Sequence, residues 1–265
     1  MRRRGRNQKD LCAKRRLRHV AALRNFGAHD TFPAVRISSL HHAVAATLLG
    51  ALASCVQPPP HLDTRATTVE TPQVDIAPDS AARVHLVDIR LLEPTIMVEA
   101  KYATADNFTG APLPGYEANR ALLRREAARA LARVQKRARL EGVALKVFDG
   151  YRPVRATLAM VEWTERSGRQ DLVRDGYIAS RSRHNLGLAV DLTLIGGDGR
   201  ELDMGTAFDT FSSAAHTVNA TGEAASNRTL LVRLMEAEGF VNYEKEWWHF
   251  SYSVPDPLRF DLVIR

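Results

Sequence analysis

The chain is 265 residues long, with 45% hydrophobic and 25% charged residues, which is the composition of an ordinary folded protein with a sizeable core. This composition excludes collagenous, disordered and multi-span membrane proteins. The formal net charge of +7 comes from residues 1–40, where eleven Lys and Arg stand against two Asp. Taken from the totals of 37 and 30, this leaves 26 basic and 28 acidic residues. We therefore expect no nucleic-acid partner, because phosphate binding needs clustered cations on the folded surface.

An apolar segment in the N-terminal part predicts export. Residues 43–54 carry no charge and are too short for a permanent membrane helix, but they have the length of a signal-peptide core. The segment runs into Leu52-Ala-Ser-Cys55, which resembles the lipobox of bacterial lipoproteins, in which the cysteine is lipidated. We expect an exported, periplasmic protein whose membrane contact is a lipid on Cys55. The alternative is a buried helix with a chance Ala-Ser-Cys sequence.

These features divide the chain into three predicted regions. Residues 1–54 form a leader and signal peptide, and the 42 residues ahead of its apolar core are long enough to suggest a start further downstream, for example at Val35. Residues 55–81 form the anchor cysteine and a flexible linker rich in Pro and Thr. Residues 82–265 form the folded domain. This domain has no cysteine, which excludes disulfides and a cysteine nucleophile, and nothing in it indicates a protein partner.

The first half of the domain is predicted to contain three strands and two helices. Residues 84–90 and 96–102 are rich in β-branched and apolar residues and flank a turn at Glu93-Pro94. A helix follows, capped by Asn119 and ended by Gly142, with apolar residues at helical spacing. Residues 144–149 form a buried strand, and a second helix runs from Pro153 to about residue 165.

The second half is predicted to contain two strands and one helix. In the strand at residues 188–194 the leucines and Val190 share one face, so Asp191 points the other way. A helix runs from about residue 228 to 238, and the final strand covers residues 247–254. Strands and helices without regular βαβ alternation predict an α+β fold, a single domain with a mostly antiparallel sheet flanked by helices.

Two distant segments supply side chains suited to a metal. His184 precedes the strand that carries Asp191, and Glu246 and His249 lie at the last strand. Two imidazoles and one carboxylate suit zinc with a fourth position open for water, which is typical of a catalytic site in a cleft. Glu246 is then a general base beside zinc-bound water, provided that a bend turns it toward His249. The alternative is that Glu246 is the ligand and Asp191 is not.

Arg152 lies where the 144–149 strand turns into the next helix, a position that can direct its side chain into a cleft. A cation there can stabilise the oxyanion of a tetrahedral intermediate. The alternative is a surface arginine paired with a nearby carboxylate.

Six motifs occur in order along the domain: Lys101-Tyr-Ala-Thr-Ala-Asp-Asn-Phe-Thr-Gly110, Asp149-Gly-Tyr-Arg-Pro153, Ser182-x-His184-x-x-Gly187-x-Ala189-x-Asp191, Asp191-Leu-Thr-Leu194, Met204-Gly-Thr-Ala-Phe-Asp209 and Glu246-Trp-Trp-His249. In order and spacing, the domain resembles the zinc D-alanyl-D-alanine dipeptidases of the vancomycin-resistance type over residues 83–262. A single motif of this kind is weak, whereas six in order are specific.

The resemblance implies one zinc ion per chain with three ligands: His184, Asp191 and His249. It implies two catalytic groups, the base Glu246 and the transition-state-stabilising Arg152. It also implies three residues near the substrate, with Asp209 facing the ammonium group: Asp209, Ser182 and Tyr102. Asp149 is expected to support the site. The implied function is hydrolysis of D-Ala-D-Ala or a related D,D-dipeptide in cell-wall peptide turnover.

Two features depart from the family. Arg183 replaces a small polar residue, and its charge could favour the substrate carboxylate or simply point to solvent. The export leader also differs, because the resistance enzymes act in the cytoplasm. Two other functions remain open: a D,D- or L,D-carboxypeptidase or endopeptidase on peptidoglycan peptides, and an inactive zinc-containing lipoprotein that binds cell-wall peptides.

Overall fold

The computed structural model describes residues 75–265. The predicted leader, the predicted lipidation site Cys55 and most of the predicted linker lie outside the described residues. The described part begins with a β-bridge between Ile76 and Arg259, and its first helix starts at Asp79, ahead of the expected domain start at residue 82. Between residues 75 and 265, no helix combines the length and the apolar character needed to cross a membrane.

Residues 75–265 contain five α-helices and seven β-strands. The helices are α1 (Asp79–His85), α2 (Arg125–Leu140), α3 (Val154–Arg166), α4 (Asp171–Arg174) and α5 (Gly222–Glu236). The strands are β1 (Leu86–Asp88), β2 (Met97–Val98), β3 (Leu122–Arg124), β4 (Ala144–Asp149), β5 (Ala189–Ile195), β6 (Val241–Tyr243) and β7 (Glu246–Ser251). Short 3₁₀ helices join them, and the one at Arg183–Leu186 positions His184.

A five-stranded sheet forms the centre of the fold, with the strand order β2-β4-β5-β7-β6. β2 runs parallel to β4, whereas the other three neighbouring pairs are antiparallel. β1 and β3 form a separate antiparallel pair. The α+β class and the largely antiparallel pairing are therefore as predicted, with a mixed sheet as the added detail.

The apolar core explains why β5 lies in the middle of the sheet. Every residue of β5 is buried, and Val190, Leu192 and Leu194 belong to a cluster that also contains apolar residues of α2 and α5. Each fully buried Val or Leu side chain contributes about 1.5–3 kcal/mol relative to an exposed one. One face of β5 therefore anchors the strand, and Asp191 lies on the opposite face.

The prediction that Asn119 caps a helix is wrong. α2 begins at Arg125, because Leu122–Arg124 extend into β3 and pair with Leu86–Asp88 of β1. The Asn119 side chain accepts a hydrogen bond from the Ala100 amide (2.8 Å) and donates one to the Val98 carbonyl (3.2 Å). Strand pairing across the sequence therefore overrides the local helical periodicity.

The strands predicted at residues 84–90 and 96–102 do not form a hairpin. His85 ends α1, and the short strand that follows pairs with β3. Within the second segment only Met97–Val98 is extended, and it pairs with β4. Each of these strands has its partner elsewhere in the chain, so the turn at Glu93-Pro94 does not join paired strands.

The other elements differ mainly at their ends. β4 has the predicted bounds, while α3 and β5 are displaced by about one residue. α5 begins at Gly222, six residues before its predicted start, and α4 and β6 were not predicted. β7 covers Glu246–Ser251 and so ends before the predicted residue 254.

Candidate active site

Three neighbouring strands place acidic and imidazole side chains in one row. Asp149 on β4 is paired in register with Asp191 on β5, and Asp191 is paired with His249 on β7. Directly paired residues of antiparallel strands project their side chains to the same face of the sheet. The sheet therefore brings these three residues together without a long loop.

His184 completes a compact group with Asp191 and His249, in which one ligand atom of each residue lies within 4.8 Å of the others. The His184 Nε2 and His249 Nδ1 atoms are 3.2 Å apart. Asp191 Oδ1 is 2.9 Å from His249 Nδ1, and Asp191 Oδ2 is 3.3 Å from His184 Nε2. Two ligand atoms bound to a tetrahedral zinc ion at about 2.0–2.1 Å lie about 3.3 Å apart. The three side chains therefore fit a single zinc ion.

The orientation of His184 is set by the turn that precedes β5. Ser182 Oγ accepts a hydrogen bond from the His184 amide (3.2 Å), and Asn185 Oδ1 accepts one from the Ser182 amide (3.2 Å). Gly187 ends the turn with a left-handed backbone (φ of 64°). His184 Nδ1 lies 2.6 Å from the Gly150 carbonyl and donates a hydrogen bond to it. The lone pair of His184 therefore lies on Nε2, which faces Asp191 and His249.

We expect Gly150→Ala to disturb this orientation. A Cβ atom at residue 150 would lie 2.6 Å from the Leu122 carbonyl oxygen, so the backbone must shift. The expected result is a loss of about 1–3 kcal/mol in the free energy of unfolding. Zinc affinity should fall about 10- to 100-fold, because the Gly150 carbonyl no longer holds His184. Urea unfolding and zinc titration measure the two effects.

Gly197→Ala is the matched control, because no atom lies within 4 Å of a Cβ at that exposed position. It should behave as the wild type in both measurements. Zinc binding as tight in Gly150→Ala as in the wild type would contradict the role of the Gly150 carbonyl.

Asp149 and Arg152 form a buried ion pair beside the ligands. Asp149 accepts hydrogen bonds from Arg152 Nε (2.9 Å) and Nη2 (2.8 Å), and from the Tyr116 hydroxyl (2.6 Å). Arg152 Nη2 also lies 3.7 Å from Asp191 Oδ2. Burial alone would lower the pKa of Arg152, but the charge of Asp149 raises this pKa well above its ordinary value. Arg152 is therefore a buried cation, and not the surface residue of the alternative interpretation.

The expected bend at Glu246 is present. Along the β6–β7 pair, Asn242 is opposite Phe250 while the next residue, Tyr243, is opposite Glu246, so β7 contains extra residues at this point. The irregularity brings Glu246 Oε2 to 3.8 Å from His249 Nδ1. Asp191, by contrast, approaches both imidazoles at 3.3 Å or less. These distances favour Asp191 as the ligand and place Glu246 beside the group.

The pKa values of Glu246 and Asp191 are shifted in opposite directions. Burial, reinforced by the charges of Asp191 and Asp209, raises the pKa of Glu246 well above its usual range. For Asp191 burial acts in the same direction, but interactions with His184 and His249 outweigh it and lower the pKa of Asp191. Glu246 is therefore suited to take up and release a proton, whereas Asp191 remains an anion.

Asp209 also lines the pocket. It lies on the segment of residues 204–216, which is called the 204–216 loop below. Its backbone is left-handed (φ of 58°), which is uncommon for a non-glycine residue. The buried Tyr102 hydroxyl lies 3.1 and 3.2 Å from the two Asp209 carboxylate oxygens and donates to this carboxylate. Burial and the charge of Asp191 raise the pKa of Asp209 well above its usual range.

A pocket of about 230 Å³ joins these groups. It is lined by eight of the residues predicted to act at the site: Tyr102, Arg152, Ser182, His184, Asp191, Asp209, Glu246 and His249. Asp149 lies behind this wall, where it holds Arg152. Besides Tyr102 and Trp248, four aromatic residues that were not singled out from the sequence line the pocket: Phe108, Tyr177, Phe211 and Tyr243. Among these four, Phe108 alone lies within one of the quoted motifs, and the others have no local sequence signal.

Arg183 also lies at the pocket, but its side chain has partners at the surface. Its guanidinium donates to the Tyr252 carbonyl and lies 3.4 Å from Ser253 Oγ. The residue is exposed. The arginine that departs from the family pattern thus lies at the exposed rim of the pocket, where its guanidinium binds the Tyr252 carbonyl.

An α+β fold with two histidines and one aspartate in a largely buried group, beside a further glutamate, has the composition of a metallopeptidase site. Residues 82–258 match the family described as D-ala-D-ala dipeptidase, and the chain belongs to this family.

Curated relatives cover most of the described domain. A D-alanyl-D-alanine dipeptidase of Enterococcus faecalis is 40% identical over 169 residues, which are 58% of this chain and 84% of the relative. A D-alanyl-D-alanine dipeptidase of Escherichia coli is 38% identical over 180 residues, which are 67% of this chain and 89% of the relative. A third, from Streptomyces coelicolor, is 38% identical over 169 residues, which are 58% of this chain and 84% of the relative.

Proposed function

We propose that the protein is a zinc dipeptidase that hydrolyses D-Ala-D-Ala or a related D,D-dipeptide in the turnover of cell-wall peptides. The observation that carries the proposal is the group of His184, Asp191 and His249, whose atoms have the separations expected around one zinc ion. Family membership and the curated dipeptidase relatives support the substrate class.

The chain supplies three ligands for one zinc ion and leaves room for substrate and water in the pocket. A bound zinc ion polarises a carbonyl oxygen and lowers the pKa of a water molecule from about 15.7 to about 7. Asp191 contributes a negative charge beside both imidazoles, and the Gly150 carbonyl fixes the tautomer of His184 so that its Nε2 lone pair is free to bind the metal.

Two further side chains act on the reacting groups. Glu246 takes the proton of the attacking water at its carboxylate and passes it to the amine that leaves when the peptide bond breaks. Arg152 places its positive charge toward the oxygen of the scissile carbonyl, where negative charge develops. The ion pair with Asp149 keeps the guanidinium in place during this step.

A dipeptidase differs from a carboxypeptidase in that it recognises the free amino end of its substrate. The ammonium group of a free dipeptide would stabilise the anionic form of Asp209 against the burial that raises its pKa, and the Tyr102 hydroxyl orients this carboxylate. Ser182 lines the pocket next to His184, and we assign it a contact with the substrate. An acylated peptide has no ammonium group, and the ammonium group of a longer peptide lies too far from the scissile bond to pair with Asp209.

The direct test is zinc analysis of the purified protein together with hydrolysis assays. We expect one zinc ion per chain and cleavage of free D-Ala-D-Ala in preference to N-acetyl-D-Ala-D-Ala, L,D- and L,L-dipeptides and a muropeptide. Preference for blocked or long peptides would overturn the assignment in favour of a carboxypeptidase or endopeptidase. Zinc binding without hydrolysis of any of these peptides would favour a binding protein.

We expect Asp209→Asn to raise KM for free D-Ala-D-Ala about 10- to 100-fold, because a charged hydrogen bond to the ammonium group is lost. KM for N-acetyl-D-Ala-D-Ala should be the same in Asp209→Asn as in the wild type, since that peptide carries no ammonium group. Asp198→Asn is the control, because Asp198 is an exposed carboxylate at the end of β5. An unchanged KM in Asp209→Asn would contradict this assignment of the amino-end site.

We further propose that the protein is exported and held at the cell envelope by a lipid on Cys55. The support is the uncharged segment of residues 43–54, which ends in the lipobox-like sequence Leu52-Ala-Ser-Cys55. Mass spectrometry of the mature protein should find a lipidated N-terminal Cys55. A mature form that begins upstream of Cys55 would exclude lipoprotein processing.

A further inference from the structure

Arg228 is a buried arginine whose hydrogen-bond partners are main-chain carbonyls. It projects from α5 and only 1% of its surface is exposed. Its Nε donates to the Met204 carbonyl (2.8 Å), Nη1 to the His216 carbonyl (2.7 Å) and Nη2 to the Ala214 carbonyl (3.1 Å). One guanidinium therefore binds one carbonyl oxygen at residue 204 and two at residues 214 and 216.

These carbonyls belong to the two ends of the 204–216 loop, which carries Asp209 between them. The residue before Arg228 adds a similar contact, because Asn227 Nδ2 donates to the Asp203 carbonyl (2.8 Å). Gly205 also packs against the guanidinium, since a Cβ at this residue would lie 3.5 Å from Arg228 Nη2. α5 therefore fixes the distance between the two ends of the loop.

The loop is also attached to the strand that carries Glu246 and His249. The Trp247 indole donates to Thr206 Oγ1 (2.8 Å), and the Arg228 guanidinium lies 6.0 Å from the centre of a Trp247 ring. The contacts of Arg228 and Trp247 thus connect the loop of Asp209 to the metal-binding group through β7.

A guanidinium has a planar arrangement of donors, which fixes the relative positions of the oxygens it binds. A cation that is buried without these oxygens would be strongly unfavourable, so the loop carbonyls cannot move away freely. Burial lowers the pKa of Arg228, and the charge of Asp203 acts against this shift. The loop is therefore held in one conformation while Asp209 keeps its left-handed backbone.

We infer that Arg228 is a positioning residue that holds the 204–216 loop so that Asp209 is in place for the ammonium group of a D,D-dipeptide. The inference rests on the proposed function for its substrate. It concerns a residue that does not contact the substrate pocket itself and acts through Asp209.

The test compares Arg228→Met and Arg228→Lys with the wild-type protein. In Arg228→Met, KM for D-Ala-D-Ala should rise about 10-fold while kcat changes by less than about 3-fold, because the reacting groups remain in place. Zinc content should stay at the wild-type value. Hydrogen exchange of the amides of residues 205–215 should become faster. Arg228→Lys keeps the charge but lacks the planar fork, so its KM and exchange rates should be intermediate.

A double variant shows whether Arg228 acts through Asp209. In the Asp209→Asn background, Arg228→Met should raise KM by less than about 2-fold, because the ammonium contact is already lost. Met235→Ala is the control for loss of stability, since Met235 is buried on the same helix and makes no side-chain hydrogen bond to the loop. Met235→Ala should lower the melting temperature and leave KM unchanged.

The outcomes separate the two proposals. Absence of D-Ala-D-Ala hydrolysis by the wild type overturns the proposed function, whereas loop exchange still measures the contact made by Arg228. An unchanged KM with unchanged loop exchange in Arg228→Met or, if that variant does not fold, in Arg228→Lys overturns the inference. Equal effects of Arg228→Met with and without Asp209 overturn it as well.

Discussion

Glu246→Gln is expected to lower kcat for D-Ala-D-Ala by about 100- to 10,000-fold, the range that a positioned general base contributes. Glutamine has nearly the same size as glutamate but cannot take the proton of the attacking water. The zinc content should remain at one ion per chain, because Glu246 lies beside the group of His184, Asp191 and His249. Steady-state kinetics and elemental analysis of the same preparation measure both quantities.

Glu244→Gln is the matched control for this experiment. Glu244 is an exposed glutamate only two residues away, in the turn before β7, and its substitution should leave kcat and zinc content unchanged. Survival of activity in Glu246→Gln would show that the base has been assigned to the wrong residue. Loss of zinc from Glu246→Gln would instead support the alternative in which Glu246 is a ligand.

Arg152→Met is expected to have two separate effects. kcat for D-Ala-D-Ala should fall about 100- to 1,000-fold, because a charge that stabilises the developing oxyanion is removed. The free energy of unfolding should fall by about 3–5 kcal/mol, because Asp149 keeps its buried charge without its partner. The first effect is measured by hydrolysis at saturating substrate and the second by urea unfolding.

The double variant Asp149→Asn/Arg152→Met separates stability from catalysis. Removing both charges should recover part of the stability that Arg152→Met loses, but kcat should stay low. Arg155→Met is the control, because it removes a half-exposed arginine paired with Asp261. It should change neither kcat nor the free energy of unfolding strongly. Wild-type kcat in Arg152→Met would show that Arg152 only stabilises the fold.

Local sequence patterns correctly predicted the strands and helices that depend on residues close together in the chain. The alternation of apolar residues along β5 and the Pro153 start of α3 placed these elements to within about one residue. The pattern around Asn119 failed for a different reason. Residues 122–124 obtain their partners from residues 86–88, and no local pattern contains information about that pairing.

The side chains of the site could be predicted where they belong to a recognisable sequence motif. The spacing from His184 to Asp191 and the Glu246-Trp-Trp-His249 motif pointed to residues that the sheet brings together, because both segments lead into paired strands. Groups that act through the main chain left no such pattern. The Gly150 carbonyl and the three carbonyls bound by Arg228 have no side-chain identity to read, so their roles emerge only from the folded structure.

The register between β5 and β7 has a consequence for folding. Asp191 and His249 are direct partners across these strands, and a slip by one residue would send one of them to the opposite face of the sheet. A misaligned chain therefore lacks the pair of ligands and would not retain zinc. Tight zinc uptake would then select correctly aligned molecules during refolding, so that chelators slow the recovery of native protein.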